Sequence, residues 1–449
     1  MMSNARSMLT TLALVWSALL TGCGAGVAPI DGDGDGDGLD GGSDGDGGDA
    51  VPEPAPESWF LRASEAPLAL TATSEGDLVV AGIVDGRAWV ARLDRGGAVR
   101  WQAAFSENVS YVDAMVELAG GDIVVVGEYA SAGPGYDRNV IIRLSGDGRV
   151  LSEQSLSHGM NQSVSSAAPT AEGGLLLGGM VDQDLPPVRE GFVIRFDSDL
   201  RLLWQDSLPD PVTALVETNT EDIVAFGAAE EEGTVITWLA LESDPTGGWT
   251  IDGVEVHAAV QRDDGGFFLG GSASAEDGVM WLAGIDNATM SLEWELTLGA
   301  LEAWTESDVG FGRLSAGGLA AAGIFQRPGG GEGDPWMTGV TSSGEVRWQR
   351  IIDGGSSARL AGLTTIAEGF AAAGVGERGG WVLRAAGRGD EVLPSCDRWV
   401  IGEAPHHASW WETPLPSFEP SVGSATFSPS SEETSSHPSE VSFEALCTE

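Results

Sequence analysis

Histidines, cysteines and paired acids are the groups with which this chain could do chemistry, and most of them lack a chemical spacing. The five histidines are scattered apart from His406-His407, which has Asp397 and Glu403 nearby. Adjacent histidines point apart on a strand, and this spacing is not that of a metal-ligand set, so the pair reads as surface. Paired acids such as Asp263-Asp264 fall in turn sequence, where Asp is chosen for its backbone chemistry. The sequence contains no G-x-S-x-G, H-E-x-x-H, Walker or dinucleotide fingerprint and no C-x-x-C. It therefore nominates no catalytic residue and no metal centre, and the expectation is a protein that is not an enzyme.

The elements that would position any site are repeats. Aligning on a glycine that closes an apolar run gives LVVAG at Gly82, IVVVG at Gly127, LLLGG at Gly179, IVAFG at Gly227, FFLGG at Gly271, LAAAG at Gly323 and FAAAG at Gly374. These seven copies lie 44 to 52 residues apart. Short strand-length runs, glycine-rich turns and that period predict an all-β, seven-bladed propeller of four-stranded antiparallel blades. Eight residues before the residue that opens each run stand Ala69, Ala114, Ser166, Ala214, Ala258, Gly310 and Ala361, all small, as an innermost strand crowded around an axis requires. Trp89, Phe192, Trp281, Trp336 and Trp381 open the third strand, with Val140 in copy two and copy four irregular. A further Trp recurs at 101, 204, 249, 294 and 348 near the fourth strand, with Ser152 in copy two. Large aromatics at fixed positions fill the wedge that widens away from the axis.

The seventh copy carries Glu391-Val392-Leu393-Pro394 where a fourth strand is due, and its proline spoils it. Ser58 to Arg62, with its own Trp59, is a strand-like piece without a repeat around it. It is expected to pair around Gly380 to Ala385 and close the ring, which removes a free edge there.

Strand reversal places the second-to-third links on the same face as the links between blades. Those links are long at Glu128–Asn139, Met180–Glu190 and Ile324–Pro335, and variable length on one face of a rigid scaffold is where binding usually resides. The opposite face is expected to carry tight two-residue turns at Gly120-Gly121, Gly173-Gly174, Asp264-Gly265 and Gly317-Gly318. One position before the small residue of the inner strand stand Asp113, Ser165, Thr213 and His257, and one residue earlier in the next two copies stand Asp308 and Arg359. These six are the candidate binding residues, as a polar arc at the channel mouth. The alternative is that they are polar residues at the edge of the core, satisfied by neighbouring backbone.

Outside residues 58–393 the chain changes character. Residues 1–22 read as a secretory signal with Arg6 and an apolar Met8–Leu20 segment too short to span a membrane. Leu20-Thr21-Gly22-Cys23 resembles the lipobox of bacterial lipoproteins, which implies lipidation of Cys23 and a membrane anchor. Residues 23–57 form an Asp/Gly/Pro-rich linker that cannot bury a core. Its Asp run shares the opening of calcium loops but lacks the acid twelve residues in and the flanking helices, so a solvated spacer is expected and calcium is the one cofactor to consider. Residues 394–449 are a Ser/Pro/Glu-rich, irregular tail. With Cys23 lipidated, Cys396 and Cys447 are left for a disulfide in an oxidising compartment.

The net charge of −46 includes no lysine, and most of it lies on the repeats. Nucleic acid is excluded as a partner on that ground. The strand-turn-strand Asp94, Gly97, Trp101, repeated in part as Gly344 and Trp348, resembles the quinoprotein-like (PQQ-like) propeller repeat, in which the Trp docks blades together. The Thr of that repeat is missing, and the adjacent-cysteine disulfide and catalytic Asp of the dehydrogenases have no counterpart. The resemblance therefore implies the non-enzymatic branch, lipid-anchored propellers that scaffold outer-membrane assembly. The expectation is a monomeric binding or scaffolding propeller for a protein or glycan, held in the bacterial cell envelope at the outer membrane. The alternative is a propeller that binds or cleaves carbohydrate with Trp platforms and acid pairs.

Overall fold

The computed structural model describes residues 58–386 apart from short links between strands, together with 15–16, 399–400, 406–407, 430–431 and 443–448. Its strands form seven antiparallel sheets arranged as blades. Blade one is Pro67–Ala72, Leu78–Val84, Arg87–Leu93 and Val99–Glu107. Blades two to six repeat this order, beginning at Val109–Glu117, Asn161–Pro169, Val212–Glu217, Val254–Gln261 and Gly310–Arg313. The first strand of each blade packs against the first strands of its two neighbours, so these strands line the axis. Ala69, Ser166, Ala214 and Ala258 there are wholly buried, because a larger side chain would push adjacent blades apart.

Among the described residues six of the seven inner strands carry a β-bulge. The register slips between Pro67 and Ala69, Val112 and Ala114, Val164 and Ser166, Val212 and Ala214, Val256 and Ala258, and Leu360 and Gly362. The residue after each slip is the small one, so in blade seven that residue is Gly362. The expected Ala361 is instead the bulged residue. The cause is the hairpin: Thr365 pairs with Phe370, whereas in blade one Ala72 pairs with Leu78, so the blade-seven turn is a residue shorter and the fixed offset slips by one.

The closing glycine sits opposite the third-strand aromatic: Gly82 with Trp89, Gly179 with Phe192, Gly271 with Trp281 and Gly374 with Trp381. A Cβ on Gly374 would stand 2.3 Å from both the Arg359 carbonyl oxygen and the Trp381 ring. Where valine replaces the aromatic, as Val140 opposite Gly127, the Cβ would still meet the Tyr111 carbonyl oxygen at 2.3 Å. The bulged inner strand therefore demands the glycine, and the aromatic then fills the space it leaves.

Opposite the link face, the first-to-second hairpins of blades one to six are not two-residue turns. In Thr73–Asp77 the Thr73 N–H donates to the Asp77 carbonyl and the Gly76 N–H to the Thr73 carbonyl, a three-residue loop closed by a left-handed residue, with φ of +80° at Gly76. The same pair of bonds recurs at Leu118, Thr170, Thr218, Arg262 and Leu314, and at the third-to-fourth hairpins from Asp94, Ser145, Asp197 and Thr341. A two-residue turn does occur on the link face of blade one, at Asp85-Gly86 with φ of +50° and +73°. The Met180–Glu190 link is likewise mostly strand: Met180 to Asp184 pair with Gly191 to Pro187. Blade three thus carries five pairs beyond its closing glycine where blade one carries two, which makes its hairpin arm ~10 Å longer at ~3.3 Å per residue.

Ring closure follows the expectation. Trp59–Ala63 pairs antiparallel with Gly379–Ala386, Trp59 opposite Arg384 and Ala63 opposite Gly380. Arg92–Trp101 and Arg195–Trp204 are the same cross-strand pair in blades one and three, so Trp59–Ala63 is the fourth strand of blade seven in register. The tail's Phe443–Thr448 adds a fifth strand outside it. Its shorter pieces Trp399–Val400, His406–His407 and Ser430–Ser431 pair on the outer strands of blades six, five and two. Val15–Trp16 pairs in parallel with Ser166 and Ala167 of the blade-three inner strand. Glu391 to Pro394 lie outside the described residues.

Candidate functional site

The bulge explains why a polar residue can stand on so crowded a strand. Asp113, Ser165, Thr213 and His257 are the extra residues of four successive bulges, and an unpaired bulge residue is re-aimed out of the pleat. The structure brings these four into one arc. Arg359 is outside it, an exposed residue opposite Val375 and two positions ahead of the bulge at Ala361. Leu68 and Ala361 take the bulge position in blades one and seven. Asp308 is outside the described residues.

The arc is a set of contacts between blades more than an open mouth. The Ser165 hydroxyl donates to the Val212 carbonyl of the next blade and lies 3.4 Å from the Gly178 carbonyl oxygen of its own. Thr213 repeats this, 2.5 Å from the Val256 and 3.1 Å from the Phe226 carbonyl oxygens. Each hydroxyl bridges the second strand of its own blade and the residue ahead of the next bulge. The His257 Nε2 stands 3.2 Å from the Ser272 hydroxyl. The Ser165 and Thr213 hydroxyls are thereby satisfied by neighbouring backbone, as the edge-of-core alternative requires of them.

Asp113 differs because it brings a carboxylate to a place where its counterparts bring a hydroxyl. It is 6% exposed, and its Oδ2 has no hydrogen-bond partner. Burial, then the nearby Glu128 carboxylate, holds its acid form well above the usual carboxylate range. Glu128 sits opposite Asn139, whose amide nitrogen and oxygen are both buried without a partner.

A second ring of contacts lies on the hairpin face, where tryptophans dock blades together and arginines and glutamates join them. Trp59, Trp101 and Trp294 on fourth strands donate their indole N–H to Arg95, Gly146 and Ser342 carbonyls of the following blade at 2.8 to 2.9 Å. Each ring lies over that hairpin's left-handed glycine, Gly97, Gly148 and Gly344. The third-strand arginines Arg92, Arg143 and Arg384 reach the same neighbours, donating to Gly146, Ser198 and Gly76 carbonyls. Glu117 and Glu217 reach backwards instead, accepting the Ser74 and Ala171 N–H of the preceding blade. A signal for the arginines was present in the repeated apolar-apolar-Arg ends of third strands, Val90-Ala91-Arg92, Ile141-Ile142-Arg143, Val193-Ile194-Arg195 and Val382-Leu383-Arg384.

Of the remaining expected residues, Cys23 and Cys396 are outside the described residues. Cys447 stands opposite Phe60 on the outermost strand of blade seven, and His406-His407 pair with Leu298 and Thr297. Among the described residues no group of three or more His, Cys, Asp or Glu is placed to hold a metal ion. No protein-family model and no curated protein matches the sequence. Among solved structures the chain is similar to a protein of unknown function from Bacteroides caccae, at 11% identity and a TM-score of 0.43, over 67% of this chain and 95% of that one.

Proposed function

We propose that the chain is a lipid-anchored protein of the bacterial envelope whose propeller serves as a non-enzymatic binding or scaffolding module. The observation that carries the binding role is the long hairpin arm of blade three, Leu175–Asp184 with Pro187–Phe196, on the face that bears the second-to-third links. A rigid ring with short hairpins on one face and a long hairpin arm on the other presents its variable surface in one direction. The lipobox-like Leu20 to Cys23 and the acidic linker would hold that ring at a membrane by a solvated tether.

The packing removes six tryptophans from the carbohydrate-active alternative, while Trp101, Trp204, Trp249 and Trp294 are half-buried. Trp59, Trp89, Trp281, Trp336, Trp348 and Trp381 are all buried between strands and blades, so they offer no stacking platform. Screening the full chain in detergent against envelope proteins by crosslinking, and against a glycan array and polysaccharide substrates, tests the reading. A protein partner lost when the 180–190 arm is shortened is the expected result. Polysaccharide hydrolysis would overturn it.

A further inference from the structure

The arc's one carboxylate sits where the chemistry of its neighbours is wrong for it. Ser165 and Thr213 fill their bulge positions by donating a proton to two carbonyl oxygens. An ionised Asp113 has no proton to give, and its Oδ2 is buried without a partner beside the like charge of Glu128. Around it are more oxygens in the same condition. Asn139, with no exposed surface, is the register partner of Glu128 on one side and of Leu156 on the other. The Leu156 carbonyl accepts the Gln162 amide N–H of blade three at 2.7 Å, which leaves the Gln162 Oε1 buried without a partner.

Buried polar atoms are nearly always satisfied, and each one left bare calls for an explanation. Here Asp113, Asn139 and Gln162 each carry an unpartnered buried oxygen, and register and hydrogen bonding link them through Glu128 and Leu156 along one seam between blades two and three. Hard cations of calcium's size take carboxylate and amide oxygens in flexible coordination and need no histidine or cysteine. We propose that Asp113, Glu128, Asn139 and Gln162 hold one divalent cation of the calcium class, which cross-links blades two and three. The cation supplies the positive charge that offsets the two carboxylates and takes the lone pairs that the protein leaves unused.

The test uses the full chain in detergent, stripped with EDTA, and reads its thermal transition with and without millimolar calcium. Calcium held at a site in the folded ring raises the transition by about 3 °C or more, whereas calcium loosely attracted to the Asp/Gly linker does not stabilise the ring. Asp113→Asn and Asn139→Leu should abolish the rise while leaving the near-ultraviolet dichroism of the folded ring. Hydrogen exchange of the unmutated chain gives a second measurement that does not depend on the variants folding. Calcium should slow exchange in the strands Val109–Glu117, Ile123–Tyr129 and Arg138–Leu144 of blade two and Asn161–Pro169 of blade three. An unmoved transition, an equal rise in both folded variants, or protection confined to other blades would overturn the site.

Discussion

At the residue scale, the apolar-run glycines and the inner-strand small residues are two halves of one constraint. Each bulge brings an inner-strand carbonyl against the second strand, and only a residue without Cβ fits beneath it. A Cβ on Gly271 would stand 1.8 Å from the Glu255 carbonyl oxygen, whereas one on Gly120 meets nothing within 4 Å. Gly271→Ala should therefore cost about 2 kcal/mol or more through forced backbone shifts, while Gly120→Ala should be near neutral, as read by urea denaturation. The glycine column was legible because it recurs as a residue type. The bulge was not, since it is a backbone event with no residue of its own: Leu68, Asp113, Ser165, Thr213, His257 and Ala361 share the position and no chemistry. A one-residue change in the blade-seven hairpin was enough to misplace Ala361 and Arg359.

At the scale of elements, the strand Trp59–Ala63 does three jobs at once. It completes blade seven on Gly379–Ala386, carries the Phe60 ring 6.1 Å from Trp381, and sends the Trp59 indole N–H to the Arg95 carbonyl of blade one. Trp59→Ala should lose about 3 to 5 kcal/mol, and deletion through residue 64 should lower the thermal transition and promote aggregation by freeing the edge of Gly379–Ala386. A truncated chain as soluble and as stable as the parent would reject the closure. The tail strand Phe443–Thr448 was invisible beforehand, because its six residues show neither the repeat nor a glycine-bounded run, and its pairing is set by the edge it meets.

The contacts between hairpins carry a pH signature. Burial, only partly offset by the Ser74 and Ala171 N–H groups and by Arg92 and Arg195, raises the acid pKa of Glu117 and Glu217. A folded pKa above the unfolded one means that the folded ring binds protons more tightly, so stability grows as pH falls from neutral through the raised folded values toward the unfolded value of about 4.3. Blade five shows the neutral solution, since Gln261 accepts the Asn219 N–H through its Oε1 at 2.8 Å. Glu117→Gln with Glu217→Gln should raise the thermal transition at pH 7.5 and flatten its rise toward pH 5.5. A double variant less stable than the parent at neutral pH, or one with an unchanged pH slope, would show that these carboxylates serve as anions.

At the scale of the whole molecule, seven copies of one blade make a ring whose order was legible from period, glycines and aromatics, and whose function is legible only through its ends and its variable face. The docking tryptophans could be counted in the sequence, but their partners are carbonyls of the next blade, some 36 to 48 residues away, and only the closed ring brings the two together. The central functional claim is that this ring is carried on a lipid. The most direct measurement is the intact mass and N-terminal peptide of the protein recovered from the membrane fraction of a bacterial host. The account predicts a mature chain beginning at Cys23 with diacylglyceryl and N-acyl groups, and a Cys23→Ala form that no longer partitions with detergent. A mature chain that begins elsewhere, carries no lipid and remains in the aqueous phase would contradict it.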